Sequence, residues 1–440
     1  MDRDESARPT TLGRRLRALP ANVVALGVVS LVADLSTEMI YPVFPGFVTK
    51  TLGASAAALG LIEGTAEATA SVGRYPFGRL SDARRPRRRF VLGGYGLAAL
   101  GKLVLALALV WPVALGGRFL DRLGKGMRTA PRDALLAADV RETDRGLAFG
   151  LHRTMDTLGA VVGPLTTLLL LHLGVSLRWV FALAVVPGAL SVLVIWRGVR
   201  ERAARRPDGA PANGGAEPPR AGTASAATAA AGAASGADAP AAPARRPPIG
   251  LPASPRFRRL LLASLVFAVG NSSNAFILLK AARVGFSADT GVILVYVLYN
   301  LTYAAGSLPL GDLSDRIGQL PVVAGGFVVF AAVYAGLAAA HGRVVVAVLF
   351  AVYGVYIAAT EGTTKALISR AAPDAERASA MGFFDTAVGV AGFAASAIGG
   401  ALWVAVGPWA TFTFGAATAV VAAALLLVFS RGLERRPQNV

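Results

Sequence analysis

Long apolar runs alternate with short polar segments along the whole chain. Twelve of these runs are long enough to cross a bilayer as helices, which takes about 20 apolar residues each. They cover residues 22–48, 54–79, 90–112, 113–137, 146–172, 177–198, 257–282, 288–312, 319–341, 343–369, 378–404 and 408–430. The pattern therefore predicts an all-α integral membrane protein with twelve transmembrane helices.

The polar segments between the runs predict the topology. Lys and Arg concentrate in residues 1–21 and in the turns after the second and fourth runs, and such an excess marks cytoplasmic loops. Residues 200–256 are rich in Ala, Pro, Gly, Ser and Thr and lack apolar periodicity, which predicts a disordered cytoplasmic linker. We expect six-helix bundles at 22–199 and 257–430, with cytoplasmic tails at 1–21 and 431–440.

The composition supports a membrane protein and excludes several kinds of functional site. The 440 residues are 54% hydrophobic and only 16% charged, whereas about a quarter of the residues in soluble domains are charged. The net charge of +18 comes from basic residues between apolar runs, so we do not expect nucleic acid as a partner. The sequence contains no cysteine, which excludes disulfides and thiolate chemistry. With only three histidines besides, a Cys/His zinc site is nearly excluded as well. The twelve runs also leave no room for a separate enzyme domain, and we expect no cofactor.

The two halves of the chain contain matching sequence segments, as expected for an internal repeat. The segment from Gly78 to Asp82 matches the one from Gly311 to Asp315, an offset of 233 residues. The segment that begins at Arg145 matches the one that begins at Arg377, an offset of 232. Parallel repeats around a long central loop predict two six-helix pseudo-symmetric bundles, an architecture that transporters use.

These segments resemble the signatures of the major facilitator superfamily. Gly78 to Arg89 and Gly311 to Gly318 are similar to the superfamily's G-x-x-x-D-(R/K)-x-G-(R/K)-(R/K) turn, and Arg118 to Gly126 resembles its R-x-x-x-x-x-G-x-G signature. In the fifth run, Gly150, Gly159 and Gly163-Pro164 reproduce G-x8-G-x3-G-P, which is associated with antiporters that include drug:proton exporters. The resemblance covers the chain outside the tails and the linker, and it implies transport by alternating access.

The repeated turns are the predicted gate. A carboxylate there can lie at a helix N-terminus while arginines pair with other carboxylates, which would lock the halves together. The alternative is that the basic turn only fixes topology. Gly159 and Gly163 are four residues apart on one helix face, where they serve either close helix packing or a hinge. The predicted gating residues are Gly78, Asp82, Arg87, Gly150, Gly159, Gly163, Pro164, Gly311, Asp315 and Arg316.

Acidic residues inside the first two runs are the predicted proton-coupling groups. Asp34 and Glu38, and likewise Glu63 and Glu67, are i, i+4 pairs near the membrane centre, where crowding of carboxylates increases their affinity for protons. The alternative is permanent pairing with Lys102, Arg118 or Arg122, and the role of Lys102 is open. Arg118, Asp121, Arg122, His152 and Asp156 complete the candidate cavity residues, although His152 and Asp156 could instead form a salt bridge at headgroup level.

Neutral polar residues of the second half are candidates for orienting a solute. Asn271 and Asn274 interrupt the seventh run at a depth similar to that of Asp34 and Glu38. Tyr41 and Glu361 complete the predicted substrate-binding set, although Glu361 and Lys365, at i, i+4, could form only an internal ion pair.

Together these features predict a proton-coupled antiporter that exports a small organic, drug-like or metabolite solute. The expected setting is the plasma membrane of a prokaryote, with the protein monomeric and a proton gradient as its energy source. A proton-coupled symporter or facilitator that imports a solute is the main alternative, and a membrane sensor without transport is a weaker one. No P-loop for ATP is present in the sequence.

Overall fold

The computed structural model describes residues 11–44, 47–54, 56–201, 254–272, 274–286 and 290–431. Most of the predicted linker and the outermost part of each tail lie outside the described residues. The domain boundaries expected from the sequence stay predictions.

The first half consists of a short helix followed by six long ones. They are α1 (Leu12–Arg17), α2 (Ala21–Ile40), α3 (Ala56–Ala83), α4 (Arg87–Ala106), α5 (Trp111–Asp139), α6 (Arg145–His172) and α7 (Leu177–Gly198). A 3-10 turn at Tyr41–Val43 and a π-helical turn at Phe47–Thr51 follow α2, and a 3-10 turn at Glu142–Asp144 precedes α6. The sequence analysis did not predict α1, which lies in the expected tail.

The second half repeats this arrangement with one helix divided. Its helices are α8 (Pro255–Gly270), α9 (Asn274–Arg283), α10 (Thr290–Ile317), α11 (Gln319–Ala339), α12 (Arg343–Ala371), α13 (Arg377–Ala405) and α14 (Pro408–Arg431). A 3-10 turn at Asp374–Glu376 precedes α13, as its counterpart precedes α6. The described part of the chain contains helices and turns but no strand, so the predicted all-α class is confirmed.

The predicted spans all carry helix, with breaks in the first and the seventh. The seventh run contains α8 and α9 because the polar residues that begin at Asn271 interrupt its helix. The first run leaves α-helical geometry at Tyr41, next to Pro42, whose missing N–H cannot continue the hydrogen-bond ladder. Eight segments of the described residues are long and apolar enough to cross a membrane, and they contain α2, α4, α6, α7, α11, α12, α13 and α14.

Packing within each half follows the repeat, and two helix pairs make the largest contacts between the halves. In the first half α5 packs on α3 and α4, and α2 packs on α6 and α7. In the second half α12 packs on α10 and α11, and α14 packs on α8 and α11. Between the halves α6 packs along α10 and α3 packs along α13. Since α3 and α10 are equivalent in the repeat, as are α6 and α13, these two contacts are related by pseudo-twofold symmetry.

Candidate functional site

At one end of the bundle, which we call the closed end, Asp82 of α3 caps a helix of the opposite half. The closed end is where α3 and α10 finish and where α6 and α13 begin. The backbone N–H and the hydroxyl of Ser379 both donate to Oδ2 of Asp82 at 2.7 Å. The first N–H groups of a helix have no intrahelical acceptor, and the positive end of the helix dipole favours a carboxylate there. Asp82 therefore stabilises the contact between α3 and α13.

Arg87, at the start of α4, connects Asp82 to a second carboxylate of the opposite half. Its guanidinium is 2.8 Å from Oδ1 of Asp82 and 3.2 Å from Oδ1 of Asp374. The side chain of Arg87 is 1% exposed, and that of Asp82 is fully buried. Arg85 also reaches Asp374, at 2.7 Å, but from a more exposed position. Among the arginines of this turn, burial thus singles out Arg87.

The second copy of the turn forms an equivalent cap with a different base. Oδ1 and Oδ2 of Asp315 accept hydrogen bonds from the backbone N–H groups of Gly146 and Leu147, each at 2.8 Å, at the start of α6. An offset of 233 from Arg87 gives Leu320, so the second copy lacks the basic residue.

Arg15 of α1 supplies a positive charge at this second cap. It forms ion pairs with Asp315 at 3.3 Å, with Asp144 at 2.9 Å and with Asp312. Arg15 therefore joins the tail helix to acids of both halves, whereas the sequence analysis gave the tail arginines a topological role only. The missing base at position 320 is the sequence signal that could have prompted a search for a substitute.

Glycines allow the helix backbones to meet at the closed end. A Cβ added to Gly78 would collide with the carbonyl oxygen of Ala378, and one added to Gly311 would collide with that of Gly146. A Cβ on Gly150 would lie 2.5 Å from the carbonyl oxygen of Ser307. Each of these glycines therefore lies at a direct backbone contact between the halves.

Three of the other predicted gating residues, Gly159, Gly163 and Pro164, lie away from the closed end. Gly159 and Gly163 face α2 of their own half, and a Cβ on Gly163 would lie 2.9 Å from the carbonyl oxygen of Leu35. This placement agrees with the packing alternative. Pro164 is inside α6. Arg316 is 48% exposed and pairs with Asp312, one turn earlier on the same helix, at 2.7 Å.

A cavity of about 400 Å³ lies between the two halves. Helices α2 to α6 of the first half contribute mainly charged residues to its wall, whereas α8, α11, α12 and α13 of the second half contribute aromatic and polar ones. Of the predicted site residues, Asp34, Asp156, Asn271 and Glu361 line it. Its volume is within the range of small-ligand pockets, roughly 300 to 1,000 Å³.

Arg153 links the two acids Asp156 and Glu361 inside the cavity. Its guanidinium is 3.1 Å from Oδ2 of Asp156 on the same helix and 2.9 Å from Oε2 of Glu361 on α12 of the other half. Asp156 also accepts a hydrogen bond from Ser30 of α2. Asp34, in contrast, has no basic group within salt-bridge distance in the part of the chain that the structure describes. Asp156 and Glu361 thus have fixed partners, whereas Asp34 has none within salt-bridge distance among the described residues.

The bases proposed as permanent partners of the span acids also lie near Asp121. Lys102, Arg118 and Arg122 approach its carboxylate at 3.9, 3.7 and 3.9 Å. Lys102 also donates to Oγ1 of Thr37 at 3.0 Å, which accounts for a buried lysine on α4. This cluster does not contribute to the wall of the cavity.

Several other predicted residues also lie apart from the cavity wall. Glu38 is partly buried and its Oε2 has no hydrogen-bond partner among the described residues, and Glu67 is exposed. The side chain of Glu63 lies outside the described part of the structure. His152 is buried, and its Nε2 is unpartnered among the described groups.

An ion-pair network that was not predicted from the sequence joins the halves at the wall of the cavity. Lys365 of α12 contacts Asp385 of α13 and lies 3.3 Å from Asp133 of α5, which in turn pairs with Arg132 at 2.8 Å. Lys365 and Glu361 therefore pair across the interface rather than with each other. The available signal was spacing, because basic residues of α5 recur at helical intervals and so share one face. They are Arg118, Arg122, Lys125, Arg128 and Arg132.

The predicted polar residues of the second half take part in an aromatic network. Asn271 donates to the hydroxyl of Tyr356 at 3.2 Å, and Asn274 accepts from the hydroxyl of Tyr353 at 2.8 Å. Tyr41 is in the first half, 46% exposed, with the guanidinium of Arg118 5.7 Å from its ring centroid. Of the two asparagines, Asn271 alone reaches the described cavity wall.

Comparison with protein families and known proteins agrees with this architecture. A family model described as Major Facilitator Superfamily matches residues 26–292 and 260–440. An uncharacterized MFS-type transporter of Methanocaldococcus jannaschii is 32% identical over 418 residues, covering 93% of this chain and 95% of the relative. The inner membrane transport protein YajR of Escherichia coli is 33% identical over 180 residues, covering 39% of this chain and 37% of YajR.

Solved structures show the same fold at low sequence identity. The human organic anion transporter MFSD10 superposes with a TM-score of 0.69 at 16% identity, covering 95% of this chain and 100% of MFSD10. The fucose:proton symporter FucP of Escherichia coli gives a TM-score of 0.68 at 14% identity, covering 93% of this chain and 98% of FucP.

Proposed function

The chain belongs to the major facilitator superfamily of secondary transporters, and we propose that it couples protons to the movement of a small organic solute. Asp34 carries the proposal, because it lines the cavity without a basic partner within salt-bridge distance in the described structure. Carboxyl groups in membrane transport pathways commonly carry protons, and a group without a fixed partner can change its charge without breaking an ion pair. Asp156, held by Arg153, would position Arg153 instead.

We propose antiport with export as the coupling mode. The support is the pattern of Gly150, Gly159 and Gly163-Pro164 in α6, which resembles the antiporter signature. Symport is the second candidate, favoured by the basic residues Lys125 and Arg128 in the same cavity as Asp34. If the solute were an anion, its binding there would favour a proton on Asp34, so that both would bind together. Structural neighbours of this fold include a fucose:proton symporter and an organic anion transporter.

We place the protein in the plasma membrane of a prokaryote with both termini and the closed end facing the cytoplasm. The support is the concentration of arginine near that end, in α1 and in the turn from Arg84 to Arg89. In this orientation the described conformation closes the cavity toward the cytoplasm. Because the chain contains no cysteine, single cysteines introduced at Arg84 and at Ile317 can be tested with an impermeant maleimide on intact cells. Labelling before lysis would overturn the orientation.

Proton flux in vesicles tests the coupling. Proteoliposomes loaded with a pH-sensitive dye should show protein-dependent proton movement when an organic solute is added from a panel of anionic, neutral and cationic compounds. Asp34→Asn should abolish this flux yet preserve counterflow of the same solute. Glu142→Gln is the matched control, since this acid is 67% exposed and outside the cavity. A flux that survives Asp34→Asn would contradict the assignment, and the direction of proton movement separates antiport from symport.

A further inference from the structure

The cavity has more positive than negative side chains. Six basic residues line it (Arg74, Lys125, Arg128, Arg132, Arg153 and Lys365) against four acidic ones (Asp34, Asp156, Glu361 and Asp385). Charges at membrane depth are costly unless they are paired or serve a pathway. An excess of bases in a cavity of a transporter therefore requires an explanation.

Ion pairs within the protein account for only half of these bases. Arg132, Arg153 and Lys365 have carboxylate partners within 3.3 Å. Arg74, Lys125 and Arg128 have no carboxylate within salt-bridge distance among the described residues. Nε of Arg74 and Nη1 of Arg128 are also buried without a hydrogen-bond partner in the described structure. Arg74, Lys125 and Arg128 all line the cavity, so its wall carries three positive charges without a carboxylate partner among the described residues.

The guanidinium of Arg128 is held in place by an aromatic ring. Its Cζ lies 4.1 Å from the centroid of the Tyr95 ring, and both residues line the cavity. Such a cation–π contact fixes the guanidinium without neutralising its charge. Arg128 is therefore positioned to donate to a ligand, and a guanidinium binds carboxylate, sulfonate or phosphate groups well because its donors match their planar or tetrahedral oxygens.

The opposite wall of the cavity is aromatic. The rings of Phe267 and Phe327 are parallel, with centroids 4.0 Å apart, and Tyr356 lies 5.7 Å from Phe267. All three residues line the cavity from the second half, as does Phe384. Such a surface suits a flat apolar group, because aromatic pairs add to the gain from burial.

From these two walls we propose that the solute is an amphipathic organic anion, with its acidic group at Arg74, Lys125 and Arg128 and its ring on the Phe267 surface. A cation would be repelled by the excess of bases, and a neutral solute would leave the charges of Arg74, Lys125 and Arg128 without a counterion. The inference rests on the proposed transport function, because it takes the cavity as the solute site. If it holds, symport is favoured over antiport, since an anion in the cavity favours a proton on Asp34.

Binding to the purified full-length protein tests the charge requirement without relying on proton coupling. The probes are naphthalene-1-sulfonate, naphthalene-1-methanol, 1-naphthylmethylamine and methanesulfonate, which vary the charge and the ring separately. Thermal stabilisation by each, titrated at constant ionic strength, gives its apparent Kd. Naphthalene-1-sulfonate should bind at least about tenfold more tightly than each of the other three. Equal stabilisation by the neutral or cationic naphthalene would overturn the proposal.

Substitutions then locate the site. Lys125→Gln and Arg128→Gln should each weaken naphthalene-1-sulfonate binding about tenfold or more, the range for loss of a charge-assisted hydrogen bond. Lys125→Arg keeps the charge and should retain binding, which separates loss of the site from loss of the fold. Arg197→Gln, which removes an exposed base of α7 away from the cavity, is the matched control and should bind normally. Unchanged affinity in both glutamine variants would overturn the assignment.

The ring contact has its own test. Phe267→Leu should weaken naphthalene-1-sulfonate but leave methanesulfonate unchanged, since only the former reaches the aromatic wall. An equal effect on both probes would contradict the two-wall arrangement. If a neutral or cationic solute drives proton flux in vesicles while the anion neither binds nor moves, the substrate class is wrong and the transport function stands.

Discussion

Replacing Asp82 with asparagine should open the closed end by weakening a helix cap between the halves. The ion pair of Asp82 with Arg87 is internal to the first half, so it survives opening. The interactions of Asp82 that depend on closure are its two hydrogen bonds with Ser379 of α13, which is in the other half. Both bonds go to Oδ2, so an asparagine whose oxygen takes that position keeps two neutral hydrogen bonds and loses their charge assistance, worth about 1.5–3 kcal/mol over the two bonds. The closed population should fall about tenfold to a hundredfold relative to the open one.

Spin labels can measure this shift directly. Because the chain contains no cysteine, cysteines placed at Arg84 and Ile317, which are exposed and lie on different halves at the closed end, give one label pair. Double electron–electron resonance on Asp82→Asn should show a longer distance replacing the one in the parent chain. Ser379→Ala, which removes only the hydroxyl donor, should shift the distribution in the same direction by a smaller amount.

The control is Arg316→Gln, because that base forms an ion pair with Asp312 on its own helix and is half exposed. Such pairs contribute a few tenths of a kcal/mol, so its distance distribution should match that of the parent. Identical distributions for Asp82→Asn and the parent would refute the reasoning. Slower transport with no change in the label distance would indicate that Asp82 affects transport without stabilising the closed end.

The remaining predictions concern the same closed end, and the first uses the same label pair. Arg15→Gln should lengthen the label distance about as much as Asp82→Asn, because Arg15 joins acids of both halves, whereas Arg17→Gln, at an exposed position of the same helix, should not. Arg87→Ala should impair transport more than Arg89→Ala, since only Arg87 is buried between two carboxylates, and equal rates would contradict this. Gly311→Val should hold the halves apart and stop transport, since its side chain would collide with the carbonyl oxygen of Gly146, and normal solute uptake would refute the close contact.

The fold was predictable because twenty-residue apolar runs and a repeat with a constant offset are strong signals. The breaks in the first and seventh runs were harder to predict from hydropathy, since a window average passes over a single proline or a short polar run. The polar residues from Asn271 were visible in the sequence, but hydropathy does not distinguish a polar patch on a continuous helix from an interruption. Helix α1 is too short to have a hydropathy signal at all.

The site was predictable in its residue types but not in its partners. The sequence identified Asp34, Asp156 and Glu361, and the structure places all three at the cavity. It could not show that Glu361 pairs with Arg153 rather than with Lys365, since that depends on how the halves meet. It also could not show that Arg87 is the buried arginine of its turn, because burial at the interface is a tertiary property.

Helix α6 connects the closed end with the cavity, and this gives the acid caps a functional meaning. Its first residues are capped by Asp315 of the other half, and two turns further on Arg153 pairs across the cavity with Glu361. A ligand shifts a conformational equilibrium only if it interacts differently with the two states. A solute anion that competes with Glu361 for Arg153 would do so, because it would weaken a contact that exists only while the halves are together at this depth. If that contact is lost, the caps at Asp82 and Asp315 remain to stabilise the closed end. The free energy of these caps should then determine how readily a bound solute opens the cavity at this end.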